Sequence, residues 1–287
     1  MKKLITGTPP GKALARRFVA GDTLGEVIAA ARVINNEGMT VSLDHLGEEV
    51  HDVDSARKAT EEYLESLDHI ADDGLDGNVS IKLTQLGLAI DEATAAGALE
   101  RLAVRAAELN TTVTVDMEDS RYTEATVRLY EEAQSKHGNL GLALQSYMRR
   151  TPDDLERVMV LGGHIRLCKG AYVESSEVAL TSKAEVDVAF AEQLRTLMAA
   201  EQTKPAVATH DQTLIDLTRE LAGERSTPFE FQMLYGVRTE LQKKLVAEGY
   251  PVRVYLPYGS QWYPYLTRRL AERPANAWFF ARSLFKG

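Results

Sequence analysis

A single cysteine, Cys168, in a chain of 287 residues excludes an internal disulfide framework and a multi-cysteine metal site, and fits a reducing compartment. No apolar run approaches the roughly 18 residues needed to cross a bilayer. No Gly-x-Gly-x-x-Gly follows any candidate strand, which weighs against the dinucleotide-binding doubly wound fold. Basic residues are outnumbered, with a net charge of −9, so a nucleic-acid partner has no electrostatic support. The opening segment Met1-Lys-Lys-Leu-Ile-Thr-Gly-Thr-Pro-Pro holds too few apolar residues for a signal peptide, and a cytoplasmic location is expected. Linkers, low-complexity stretches and sharp composition shifts are also missing, so one domain over residues 1–287 is expected. What remains is ordinary for a soluble globular protein: 44% hydrophobic and 26% charged residues, enough to bury a core without staples.

Short β-type runs alternate with longer stretches of helical period. The candidate strands are Thr40–Leu43, Val79–Leu83, Thr112–Asp116, Leu140–Leu144, His164–Leu167, Ala206–Thr209, Phe229–Met233 and Val252–Leu256. Between them lie helical segments such as Ser55–Ile70, Ile90–Leu109, Ala125–His137, Ala184–Ala200 and Leu214–Ala222. Eight βα units in under 300 residues fit an α/β fold of the (β/α)8, TIM-barrel type. The first 39 residues read as a helical preamble, with Gly11–Ala20 and Thr23–Asn35 as its helices.

In such a barrel the chemistry collects where the strands finish. The eight candidate ends carry Asp44-His45, Lys82, Asp116 with Glu118 and Asp119, Gln145, Arg166 followed by Lys169, Thr209-His210-Asp211, Gln232 and Tyr255. For one residue a capping or solubilising role is the better explanation, but not for eight coincident ends. Lys82, Arg166 and Lys169, with Arg268 and Arg269 from the last helical segment, place five cations at one face of an acidic protein. Such an excess calls for anionic ligands or carboxylates, and Asp116 and Glu272 supply part of the balance. Adjacent arginines carry planar donor forks suited to a carboxylate or phosphate, and Tyr255, Tyr263 and Tyr265 add aromatic walls. A solvated helix face, with Glu272 pairing either arginine, explains the same segment. Asp44, His45, Asp116 and His210 could be assembled into a metal site, but no spacing demands one. A Schiff-base lyase with Lys82 or Lys169 as nucleophile fits the same ends, as does a binding module without catalysis. Cys168, on an inner strand, is expected in the core.

Seven ordered blocks resemble a known family. They are Ser80-Ile-Lys-Leu-Thr-Gln-Leu-Gly87, Val115-Asp-Met-Glu-Asp119, Ile165-Arg-Leu-Cys-Lys-Gly-Ala-Tyr172, Ala208-Thr-His-Asp211, Phe229-Glu-Phe-Gln-Met-Leu-Tyr-Gly236, Tyr255-Leu-Pro-Tyr-Gly259 and Arg268-Arg-Leu-Ala-Glu272. The series is similar to proline dehydrogenase of the short, monofunctional bacterial type, over residues 40 to 285.

The resemblance implies a distorted barrel with the last helix over its mouth, FAD bound without a doubly wound domain, and oxidation of L-proline to Δ1-pyrroline-5-carboxylate by hydride transfer to flavin N5. It implies a membrane quinone as electron acceptor, peripheral contact with the inner face of the membrane, and handover of product to a pyrroline-5-carboxylate dehydrogenase. Lys82, Arg268 and Arg269 would hold the proline carboxylate, and Leu234, Tyr255 and Tyr265 would wall the ring. Asp116 would lie beside the substrate, and Arg166 near the isoalloxazine edge, as the catalytic pair. Met117, Gln145, Lys169, Gly170, Ala171, Thr209 and His210 would contact FAD, and Glu272 would fix an arginine at that site. The bifunctional relatives carry tryptophan where this chain has Val173, and Tyr265 matches the branch acting on proline rather than hydroxyproline.

Overall fold

The computed structural model describes residues 15–47 and 49–271; of residues 268–271 it describes the backbone alone. Eight parallel strands close into a barrel in sequence order: β1 (Thr40–His45), β2 (Gly77–Ile81), β3 (Val113–Val115), β4 (Leu140–Gln145), β5 (Gly163–Cys168), β6 (Thr203–Ala208), β7 (Glu230–Leu234) and β8 (Val252–Tyr258). β8 pairs with β1 from Thr40↔Arg253 to His45↔Tyr258, which removes the sheet edge. Helices follow the first seven strands on the outside: α2 (Val53–Asp72), α3 (Glu92–Glu108), α4 (Ser120–His137), α5 (Thr151–Met159), α6 (Lys183–Ala199), α7 (Gln212–Ala222) and α8 (Thr239–Ala247), with α1 (Leu24–Asn36) before β1 and α9 (Tyr263–Ala271) after β8. Among the described residues, no helix is long and apolar enough to cross a membrane.

The helices begin where the sequence offers a cap. Thr23 and Glu26 close a capping box ahead of α1, and Asp52, Asp91, Asp119, Ser182 and Asp211 each accept a backbone N–H in the first turn of their helices. Aspartates at the ends of β3 and β6 thereby launch α4 and α7, so the strand-to-helix turns stay short. α5 and α8 span nine residues each, too short for the helical period to stand out in the sequence.

Alternate residues of a strand face opposite sides, and here the two sides differ sharply in polarity. Val41, Leu43, Val79, Ile81, Val113, Val115, Ile165, Leu167, Phe231, Met233 and Val254 join Tyr63, Leu67, Leu99, Leu102 and Leu194 of the helices in one apolar layer around the barrel. The intervening residues Ser42, Asn78, Ser80, Thr114, His164, Arg166, Glu230, Gln232 and Arg253 are also buried and bond to one another. Barrels of this kind usually fill with branched apolar side chains, whereas this one fills with hydrogen bonds. Arg166 and Gln232 therefore lie inside the barrel rather than on its rim, and β7 runs past Gln232 to Leu234 and β8 past Tyr255 to Tyr258.

A second, smaller apolar cluster closes the mouth. Ala15, Phe18 and Val19 pack with Leu46 and with Trp262, Tyr265 and Leu266 of α9. Two backbone bonds tie this N-terminal segment down, Ala20 N–H to Pro257 O at 2.8 Å and Gly259 N–H to Gly21 O at 2.9 Å. It runs so close to Gly236 (φ +69°) that a Cβ there would sit 1.7 Å from Arg17 O. Only glycine permits that approach. Of the expected helix Gly11–Ala20, residues 11–14 lie outside the described part of the chain.

Candidate active site

A cavity of ≈ 890 Å³ occupies the C-terminal end of the barrel beneath the α9 cluster. Lys82, Asp116, Met117, Gln145, Arg166, Lys169, Gly170, Ala171, Thr209, His210, Leu234, Tyr255 and Tyr265 all line it. Arg268 and Arg269 stand on α9 next to Tyr265, but their side chains, like Glu272, lie outside the described residues.

One side, from β1, β2, β3 and β8, is an ion-pair cluster. Lys82 Nζ lies 2.5 Å from Asp44 Oδ1 and 3.6 Å from Asp116 Oδ2. Asp116 Oδ1 accepts from Arg166 Nη1, and its Oδ2 accepts from Tyr255 Oη at 2.7 Å. The Arg166 guanidinium sits 5.3 Å from the Tyr255 ring centroid, a cation–π distance. Burial works to strip the proton from Lys82, but Asp44 and Asp116 outweigh it and raise the pKa above the usual lysine value. Burial, with Asp116 and Asp44 beside it, also pushes the Tyr255 hydroxyl well above the usual phenol range. Both groups are thus hydrogen-bond donors with protons they do not give up near neutrality. Asp44, 1% exposed, stood in the sequence only as a strand end and a member of a conceivable metal set; here it is the direct partner of Lys82.

The opposite side, from β4, β5 and β6, is built from backbone and fixed polar groups. Gln145 Nε2 donates to Glu118 O at 2.8 Å while its Oε1 accepts from Ala171 N–H at 3.2 Å. Glu118 is held in turn by Thr84, whose N–H donates to it at 3.0 Å. Gly170 has φ +125°, and a Cβ there would lie 2.3 Å from the Tyr147 ring, so the chain passes against that ring with no side chain between. Leu234 N–H donates to His210 Nε2 at 3.1 Å, which places the ring proton of a neutral His210 on Nδ1. Lys169 does not point a free charge into the cavity. Its ammonium bonds Asp187 of α6 and, at 2.9 Å, Asp211.

The cations at the mouth have the carboxylate partners that their number calls for: among the described residues, Asp44, Asp116, Asp187 and Asp211 each pair with one or more of Lys82, Arg166 and Lys169. Asp187 carried no signal in the sequence, because its partner lies on another element. Cys168 is half-buried rather than core, and lines the cavity with its thiol 3.5 Å from Leu144 O. The reason is parity: it shares the inward side of β5 with His164 and Arg166. Val173, where the bifunctional relatives have tryptophan, is fully exposed at the cavity edge.

Comparison with known proteins places the chain in a family. A family model described as proline dehydrogenase matches residues 27–282. Proline dehydrogenase 1 of Bacillus subtilis subsp. natto is 40% identical over 275 residues, covering 95% of this chain and 91% of that protein. Proline dehydrogenase of Deinococcus radiodurans is 38% identical over 286 residues, covering 96% and 91%. The bifunctional protein PutA of Escherichia coli is 28% identical over 316 residues, but the chain spans only 24% of its length. Among solved structures, proline utilization A from Bdellovibrio bacteriovorus, inactivated by N-propargylglycine, superposes on 91% of this chain with a TM-score of 0.84. At 23% identity and 32% of that chain's length, this likeness speaks to the fold alone. The family match and the full-length relatives, of the short type rather than the bifunctional one, establish that the chain belongs to the proline dehydrogenase family.

Proposed function

We propose that this protein oxidises L-proline to Δ1-pyrroline-5-carboxylate with FAD as its cofactor, and passes the electrons to a membrane quinone. The observation that carries the reading is the pairing of Lys82, Asp116, Arg166 and Tyr255 on one side of a cavity whose other side is the Lys169–Ala171 turn. At ≈ 890 Å³ the cavity lies toward the upper end of the roughly 300–1,000 Å³ usual for small-molecule sites, large for one amino acid alone. The donor set on the β4–β6 side fits a dinucleotide. Gly170 lines the cavity there, and Thr209, Lys169 and Lys183 supply polar and cationic groups for a diphosphate. When bound, the flavin supplies a two-electron acceptor that no side chain provides.

The protein's own residues bind and orient. Lys82, kept charged by Asp44 and Asp116, offers its ammonium to the substrate carboxylate, with the Arg268 and Arg269 forks completing the clamp. Tyr255, Tyr265 and Leu234 wall the ring and exclude water. Arg166, anchored by Asp116, sets a fixed positive charge in the cavity that favours the deprotonated amine and any negative charge developing in the reaction. A Schiff-base lyase needs an amine of depressed pKa, and Lys82 is shifted the other way while Lys169 is engaged by two carboxylates.

The deciding experiment is anaerobic mixing of the purified protein with L-proline while flavin absorbance is followed. Rapid bleaching is expected. A colourless protein that takes up no FAD would overturn the cofactor, and bound flavin that proline leaves oxidised would overturn the substrate. Reoxidation of the bleached protein by a soluble quinone tests the acceptor, and reoxidation by a quinone held in lipid vesicles, with none by quinone-free vesicles, tests the membrane contact.

A further inference from the structure

A chain of hydrogen bonds runs through the barrel from the cavity to its opposite, N-terminal end. Arg166 donates through Nη1 to Asp116 and through Nη2 to Ser80 Oγ at 2.8 Å. Its Nε donates to Gln232 Oε1. Gln232 points its amide nitrogen the other way, donating to Glu230 Oε1 at 2.7 Å. Glu230 also accepts from Arg253 Nε at 2.7 Å, and lies 3.1 Å from His164 Nε2 and 3.5 Å from Lys204 Nζ. Glu230, Gln232, Arg166 and Arg253 are all at least nine-tenths buried. A smaller cavity of ≈ 270 Å³, lined in part by His164, Lys204 and Arg253, marks the far end of the chain.

The polarity of this chain is fixed from both ends. Arg166 can only donate, so Gln232 must face it with oxygen. An amide has no such preference of its own, since both its ends are similar in size. A carboxylate can only accept, so Glu230 dictates that the amide nitrogen faces it and the oxygen faces Arg166. Without that carboxylate the amide keeps only Arg166 at its oxygen and His164 Nε2, at 3.3 Å, near its nitrogen, and it is free to shift. Ser80 and Asp116 would be left to hold Arg166 beside a loosened neighbour. A buried charge pair is weak evidence of a stabilising role, because an apolar pair of similar volume often serves the fold as well. The amide link is what the fold alone does not require.

We propose that Glu230, at the end of the barrel remote from the cavity, is a positioning residue that acts through Gln232 to fix Arg166, and through it Asp116, in the active site. The proposal rests on proline oxidation for its kinetic readout only. It departs from the usual division of labour in these barrels, in which the N-terminal end serves stability.

Three variants test it: Gln232→Met, the charge-free pair Glu230→Met/Arg253→Met, and all three changes together. The pair leaves neither Glu230 nor Arg253 buried without its partner. Gln232→Met and the pair should each lower kcat for L-proline by about 10- to 100-fold, the scale of a side chain displaced by about 1 Å. KM should change little, because the carboxylate clamp is anchored by Asp44 instead. The triple variant should be no slower than Gln232→Met alone. Effects that multiply, or an unchanged kcat in the pair, would overturn the proposal. A crystal structure of the ligand-free pair variant gives a readout independent of turnover: Arg166 is expected away from Asp116, and finding it in its original place counts against the proposal. Should the unaltered protein fail to oxidise proline, the proposed function falls and that structure alone decides the positioning role. Should the pair not fold, Glu230→Gln replaces it, because Arg253 would take its single carbonyl oxygen and leave Gln232 only the longer contact to His164 Nε2 at 3.3 Å.

Discussion

Replacing Asp116 with asparagine removes one charge and almost no volume, and its consequences can be followed bond by bond. Oδ1 of Asp116 accepts from Arg166, and Oδ2 accepts from Tyr255 at 2.7 Å and lies 3.6 Å from Lys82. An asparagine can keep its oxygen on Arg166 and turn its NH2 to Tyr255, whose hydroxyl then accepts. The geometry survives and the charge is lost. Removing one side of a buried ion pair costs about 3–5 kcal/mol. Lys82 retains Asp44 at 2.5 Å, which places the cost at the lower end, about 3 kcal/mol. At roughly 2–4 °C per kcal/mol for domains approaching this size, the thermal midpoint of the ligand-free variant falls by about 6–12 °C. Kinetics should split. The site becomes more positive, so KM for proline stays level or falls. Arg166 loses its charged anchor, so kcat falls by about 100-fold. Circular-dichroism melting and steady-state kinetics on one preparation decide the matter. An unchanged midpoint with a sharply raised KM at undiminished kcat would show that Asp116 binds the substrate itself rather than ordering the cations.

Gly170→Ala forces a Cβ to within 2.3 Å of a Tyr147 ring that is itself tethered by a 3.2 Å bond to Tyr172 O, at φ +125°. The strain, about 1–3 kcal/mol, should displace the turn and release FAD during purification; a preparation with full flavin absorbance would contradict this. Asp187→Asn removes a carboxylate that competes for Lys169, so FAD should bind several-fold tighter by fluorescence titration, and weaker binding would show that Asp187 positions the lysine instead. Burial raises the pKa of Glu118 despite the hydrogen bonds from Thr84, so the native state holds this proton more tightly than the unfolded chain does. Stability from this group is then full below the unfolded value of about 4.3 and declines as pH rises through the folded value. Glu118→Gln should match the unaltered protein in melting midpoint at acidic pH and exceed it above neutrality; a pH-independent difference would contradict that placement.

How much of this was legible depended on where the signal lay along the chain. The strands show as runs such as Leu140–Leu144, because their outward residues feed one continuous apolar layer. The polar strand ends also show, since Lys82, Asp116, Gln145 and Thr209 stand where the runs stop. Pairing partners did not show. Asp187 lies 18 residues from Lys169 and on a different element, and no local pattern links them. Nor did the polar interior show, because Ser42 and Ser80 each look like an ordinary interruption in an apolar run until the barrel closes and brings them together. The adjacent arginines Arg268 and Arg269 remain legible in sequence alone, standing on α9 beside Tyr265.

That pairing changes what the cavity's charge means. A set of uncompensated cations would attract any anion at long range and would lose affinity steeply with added salt. Here Lys82 is already held by Asp44 and Asp116, and Lys169 by Asp187 and Asp211. A ligand's carboxylate or diphosphate therefore gains by exchange, replacing a hydrogen bond the cation already makes, and only the difference between the two contributes to binding. Exchange rewards geometry over charge: a planar carboxylate that reaches Lys82 and an arginine fork together gains more than a single anionic oxygen can. The same logic explains why the cations can wait in a buried site at all. Their carboxylate partners offset the desolvation cost while the site is empty, and Arg166 of the polar interior holds one of those partners, Asp116, in place.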